Sequence, residues 1–97
     1  MTKIQLDPVI HAPNRLRICA LLAPLEEAEF RVLREELEVS DSVLSKQISQ
    51  LVEAGYVKIR KAAVNGRQRT WAQLTDHGQH AFQRHIAALH RIISGTD

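Results

Sequence analysis

Ser40-Asp41-Ser42-Val43-Leu44-Ser45-Lys46-Gln47-Ile48-Ser49-Gln50-Leu51-Val52-Glu53-Ala54-Gly55-Tyr56-Val57 is the stretch from which the rest of the chain can be read. Leu44, Ile48, Leu51 and Val52 recur at helical spacing and form one apolar stripe. Ser42, Ser45, Lys46 and Ser49 share the same periodicity on another face, which is small, polar and positive. Ser40 is a suitable N-cap. Val39 and Leu44 stand at the two positions of a hydrophobic staple, and Gly55 is placed to stop the helix. Such a helix either lies in a groove of nucleic acid or is a solvated surface helix, and this stretch alone leaves both readings open.

Working outward, Phe30, Leu33 and Leu37 predict a second amphipathic helix immediately upstream, with Arg31, Arg34, Glu35 and Glu36 outward. Glu38-Val39 is a tight connection, so the two helices form a helix-turn-helix over about residues 29–54. Downstream, Tyr56 to Val64 alternates as a strand, with Val57 and Ile59 on one face. Asn65-Gly66 is a strong hairpin-turn signal, and Arg69 to Leu74 is the expected return strand. Thr75 caps a last helix over about residues 76–93. There Phe82, Ile86, Leu89 and Ile93 form a seam, widened by Ala81, Ala88 and Ile92. At the other end, Ile4 to His11 carries Asp7-Pro8, a capped helix start. Pro13 restarts the helix, Asn14 to Ala23 is apolar on most sides, and Leu25 to Glu29 is a loop or a very short strand.

The chain has 97 residues, enough for one domain with a small core, so a dimer interface along the last helix is a natural supplement. Net charge is only +2, but its distribution is uneven. Glu26 to Asp41 holds seven acids against Arg31 and Arg34. Ser42 to Thr75 holds Lys46, Lys58, Arg60, Lys61, Arg67 and Arg69 against Glu53 alone. A basic region behind a serine-faced helix favours nucleic acid as partner. The single Cys19 excludes an intrachain disulfide. No apolar run reaches membrane-span length and Met1 to Asp7 lacks a signal-peptide core, so the cytoplasm is the expected compartment. No nucleophile elbow or phosphate loop is present, and neither an enzyme nor a cofactor is expected.

The order helix, helix, helix, hairpin, helix is that of a winged helix-turn-helix: mainly α with a small β-hairpin wing, an α+β domain over residues 1–97. Leu44 to Val57 resembles the recognition helix and following strand of MarR- and ArsR-like regulators. Val64-Asn65-Gly66-Arg67-Gln68-Arg69-Thr70 resembles their wing, and Leu74-Thr75-Asp76-His77-Gly78 the entry to their last helix. Asp7-Pro8-Val9-Ile10-His11-Ala12-Pro13-Asn14-Arg15-Leu16-Arg17-Ile18 resembles the opening of the short stand-alone winged-helix regulators. The resemblance implies a homodimeric transcription regulator that binds double-stranded DNA. It places Ser42, Ser45, Lys46 and Ser49 toward DNA with Asp41 and Gln47 at the edges. Lys61, Asn65, Gly66, Arg67 and Arg69 serve the wing, and Phe82, Ile86, Leu89 and Ile93 the dimer. Asp41 suits the helix dipole but would repel a nearby phosphate, and helping the cap is its expected role ahead of accepting from a cytosine amino group. Glu38 departs from the pattern, standing where the turn often has glycine, which implies a strained residue or a different turn geometry.

Two rival readings share this fold. One is a protein-interaction module that has lost DNA binding, and the other is a metal- or ligand-responsive sensor on the same dimer. For metal, His77 and His80 with Asp76 are the nearest approach to a ligand set, but no further ligand is evident and no metal is expected. Of His11, His77, His80, His85 and His90, the last four lie on the final helix, which is otherwise polar on that side. Cys19 is expected to be buried and inert. Glu26, Glu27, Glu29, Glu35, Glu36 and Glu38 read as solvated faces. Trp71 is expected on the outer face of the hairpin, covering the stem of Lys58 or Arg60.

Overall fold

The computed structural model describes residues 5–95. Ile4 and the two ends of the expected 1–97 domain lie outside that span. The chain begins with α1 (Pro8–His11), capped by Asp7, whose Oδ1 accepts from the N–H groups of Val9 at 2.9 Å and Ile10 at 3.4 Å. Ala12 is extended because Pro13 follows it, and Pro13 then opens α2 (Pro13–Leu22), which buries Ile18, Cys19 and Leu22. The short β1 (Ala28–Glu29) leads into α3 (Phe30–Leu37). That helix ends on Glu38 at φ 55° and ψ 48°, the left-handed conformation that its position in the turn implies.

α4 (Asp41–Glu53) starts at Ser40, whose Oγ accepts from the Val43 N–H at 3.2 Å. Leu44, Ile48 and Leu51 are buried, each contributing roughly 2 kcal/mol of apolar burial. Val52, expected on the same stripe, is instead 39% exposed. It sits at the edge of the stripe, in a groove shared with Phe30 and Ile59.

β2 (Val57–Val64) and β3 (Arg67–Leu74) form the hairpin, and β1 pairs with β3, giving an antiparallel sheet of order β1-β3-β2. Val64 pairs directly with Arg67, so the return strand begins at Arg67, two residues before the expected Arg69. The turn is Asn65-Gly66 alone, with φ 52° and 78°, the pair of positive angles that a two-residue hairpin turn of matching twist requires. Val57 is buried, but Ile59 on the same face is 45% exposed because the hairpin runs out beyond the core.

α5 (Asp76–Ser94) packs on α1 and β3 through Gly78, Ala81, His85 and Ala88. The entry is tight. Thr75 Oγ1 donates to the Gly55 carbonyl at 2.7 Å and accepts from the Gly78 N–H at 2.9 Å. A Cβ on residue 78 would stand 2.1 Å from the Tyr56 carbonyl oxygen. The expected seam lies on another face: Phe82, Ile86 and Leu89 are half-buried, while Ile93 is 83% exposed.

Candidate nucleic-acid interface

On α4 the residues Ser42, Ser45, Lys46 and Ser49 are all exposed along one side. Ser42 Oγ lies 3.2 Å from the capping hydroxyl of Ser40. Ser45, Lys46 and Ser49 make no side-chain hydrogen bond among the described residues. Beside them runs a groove of about 480 Å³ between α4 and the hairpin, floored by Phe30, Ile48, Val52 and Ile59, with Lys61 and Thr70 on its far wall. A narrow polar helix face flanked by a cationic hairpin matches the electrostatic footprint of a groove-reading domain.

Two of the expected edge residues are turned to other work. Gln47 Oε1 accepts from Arg15 Nη1 at 2.8 Å, while Arg15 Nε donates to the Val9 carbonyl at 2.6 Å. Gln47 therefore ties α4 to α2 and α1. Asp41 pairs with Arg34 at 2.7 Å and takes no part in the cap, which Ser40 supplies. Arg34 and its neighbour Arg31 stand on α3 beside the wing, and sequence periodicity had marked them only as outward.

The basic side chains of the hairpin divide into two sets. Arg69 Nη1 contacts Glu29 at 2.9 Å, and the Glu29 side chain is only 14% exposed. Arg60 binds Glu27 through Nη2 at 2.6 Å and Nε at 3.2 Å, and its guanidinium lies 4.1 Å from the Trp71 ring. The Arg60 guanidinium holds the Glu27 carboxyl below the usual glutamate range. Glu27 and Glu29 are thus partners of the wing, contrary to the expectation of solvated faces. Their arginines clamp the hairpin to the strand that precedes α3, and Trp71 covers Arg60 as expected. Lys58, Lys61 and Arg67 have no such partner among the described residues, and with Lys46 they form the free cationic set. Asn65 and Gly66 shape the tip that carries Arg67.

Behind this surface a polar network links Asp7, His11, Tyr56 and His85. His85 is 1% exposed, so it does not lie with the other α5 histidines on a polar outer side. Its Nδ1 accepts from the Asp7 N–H at 3.1 Å, which leaves the proton on Nε2 to be donated to His11 Nδ1 at 3.3 Å. The Tyr56 hydroxyl donates to Asp7 Oδ2. Burial, helped by His11, pushes the His85 pKa down. Burial alone would raise Asp7, but hydrogen bonds from Tyr56, Val9 and Ile10 and the nearby His85 outweigh it and lower the carboxyl. The bond to Asp7 pushes the Tyr56 phenol up to about 12. Burial pushes the Cys19 thiol to about 12 as well, leaving it unreactive at neutral pH. His77 packs against Tyr56 with ring centroids 5.0 Å apart. Among the described residues no three His, Cys, Asp or Glu side chains converge as a metal would need, and no helix is long and apolar enough to cross a membrane.

A family model described as a winged helix DNA-binding domain matches residues 14–93. The chain belongs to the winged-helix DNA-binding domain family. It is 38% identical over 78 residues to an uncharacterised protein of Methanocaldococcus jannaschii, across 80% of this chain and 85% of that one. A transcriptional regulator homologue from Pyrococcus horikoshii OT3 superposes with a TM-score of 0.85 at 30% identity, over 90% of this chain and 86% of the other. The PcaV transcriptional regulator from Streptomyces coelicolor, solved with its natural ligand, shares the fold at a TM-score of 0.72 and 19% identity, over 93% of this chain and 64% of its own. DNA binding in transcription regulation is the function this winged helix carries.

Proposed function

We propose that the protein is a homodimeric regulator, cytoplasmic like its DNA, that binds a two-fold operator in duplex DNA and catalyses no reaction of its own. α4 enters the major groove with Ser42, Ser45, Lys46 and Ser49 toward the bases and phosphates. The wing reaches the flanking backbone with Lys61 and Arg67. The observation that carries this reading is the segregation of charge: Arg60 and Arg69 are spent on Glu27 and Glu29, whereas Lys46, Lys61 and Arg67 stay unpaired on the side of α4 and the wing, with Lys58 unpaired beside Arg60 and Trp71 on the other face of the hairpin. Lysine and serine on a helix face make mostly phosphate contacts, so α4 positions the protein and reads few bases directly. Specificity then leans on half-site spacing and DNA shape.

The dimer uses the strip Phe82, Ile86, Leu89 and Ile93. Ile92 at 49% and Ile93 at 83% exposure extend that strip past the body of one protomer, and a second copy of α5 is the partner that would cover it. Two α4 helices then meet successive major grooves about 10 base pairs apart.

Fluorescence anisotropy with duplex DNA tests the proposal. Affinity is expected to fall by about 10⁴-fold between about 50 and about 200 mM salt for a dimer holding roughly eight phosphates. Lys46→Glu is expected to weaken binding by about 30-fold, since it replaces an attraction to phosphate by a repulsion. Duplex affinity weaker than about 1 mM at low salt would remove the reading, because even non-specific DNA binding is tighter than that. A Lys46→Glu variant with full biological activity would favour a protein partner instead.

A further inference from the structure

A second cleft, of about 430 Å³, opens between α3, the first turn of α4 and β3, and Arg31 and Arg34 line one wall while Arg67 and Gln68 line the other. Arg69 also reaches it, but its partner Glu29 is largely enclosed, so that pair stays formed. Arg34 is different. Its partner Asp41 is 81% exposed and the Arg34 side chain 35% exposed. An ion pair this open to water contributes little and exchanges readily for a better anion. Arg31 and Arg67 have no acidic partner among the described residues. Cations on both walls repel each other in the free protein, and an anion between them relieves that repulsion. The cleft is continuous with the start of α4, where a helix-turn-helix brings its first helix across the DNA backbone.

We infer that this cleft holds one backbone phosphate of the bound duplex between Arg31, Arg34 and Arg67, and that Asp41 is a built-in counter-charge occupying Arg34 until the phosphate displaces it. The inference rests on the DNA-binding reading above and adds a regulated contact to it. Asp41 is free for this task because the N-cap belongs to Ser40 and the Val43 N–H. When DNA arrives, Arg34 exchanges a carboxylate for a phosphate and can bind it bidentately. Asp41 is then left near the phosphate, where its repulsion lowers affinity for every sequence alike. Asp41 thereby restrains non-specific binding.

The test uses the full chain and a mixed-sequence duplex of about 20 base pairs, titrated at two salt concentrations. Asp41→Asn is expected to tighten binding about 5-fold at low salt and to steepen the salt dependence by about one phosphate equivalent, since Arg34 becomes free to displace a counterion. In an Arg34→Ala background the gain from Asp41→Asn is expected to vanish. Arg34→Gln replaces Arg34→Ala if the latter melts early. Glu35→Gln, on the same helix and outside the cleft, sets the effect of simply removing one acid, and its gain is expected to survive loss of Arg34. An unchanged affinity in Asp41→Asn, or a gain that persists without Arg34, overturns the inference while wild-type binding leaves the DNA reading intact. If wild type and every variant fail to bind duplex at low salt, both fall together.

Discussion

Around Asp7, His11, Tyr56 and His85 each polar side chain finds its partner inside the protein, whereas along α4 and the wing Ser45, Lys46, Ser49, Lys58, Lys61 and Arg67 find none among the described residues. The first region joins the N-terminal segment, α1, α5 and the junction between α4 and β2. His85 is enclosed there, so an unmet donor or acceptor on its ring would cost free energy, and both ring nitrogens are bonded. The second region faces water, which satisfies its donors until an external anion replaces that water. A satisfied network therefore makes a joint, and a surplus of donors and cations makes an interface. The histidines, though chemically versatile, belong largely to the first region, and the charge left over belongs to the proposed binding surface.

The joint can be broken most severely at Gly78. Gly78→Ala drives a methyl group into the Tyr56 carbonyl, which is backbone and cannot swing away. We expect a loss of about 3 kcal/mol, seen as a fall of about 15 °C in the melting temperature. A shift below about 3 °C would show that α5 can slide off the joint without cost.

Acid should loosen the joint. His85 is held neutral in the fold with its pKa lowered, so the unfolded chain takes up that proton first. Its contribution to stability is complete above the ordinary histidine pKa of about 6.5 and is lost as pH falls below it. Asp7, also lowered, acts in the same direction further into acid: its contribution is present above the ordinary aspartate range and disappears as pH falls through its depressed value. The melting temperature is expected to drop by several degrees from about pH 7.5 to about pH 5.5, and His85→Gln should flatten that slope. An equally steep slope in the variant would assign the acid sensitivity to other groups.

The smallest effect is expected between the two regions, at the turn that sets how α4 leaves α3. Glu38 holds a left-handed backbone that its Cβ disfavours. Glu38→Gly should raise stability by about 1 kcal/mol in denaturant titration and leave duplex affinity unchanged. A changed affinity would mean that the strained turn sets the tilt of α4.

Much of the fold was legible from local rules. Asp7-Pro8, Ser40, Gly55, Asn65-Gly66 and Thr75 each act on their own few backbone groups, and each performs the expected task. The serine-and-lysine face of α4 was legible for the same reason, since helical periodicity needs only the helix. What escaped the sequence reading depended on residues far along the chain. Gln47 meets Arg15 across 32 positions, and Arg69 meets Glu29 across 40. Neither pair has a spacing that marks it.

Propensity, capping and periodicity are short-range, so the residues alone fix the order of helices and strands, the capped and stopped α4, and a basic hairpin behind it. Closure of the chain sets which charges are consumed within the fold and which remain unpaired. That choice separates Arg60 and Arg69 from Lys61 and Arg67, and buries one histidine of α5 among exposed ones. It rests on distance and exclusion of water, and both exist only once the chain has closed on itself.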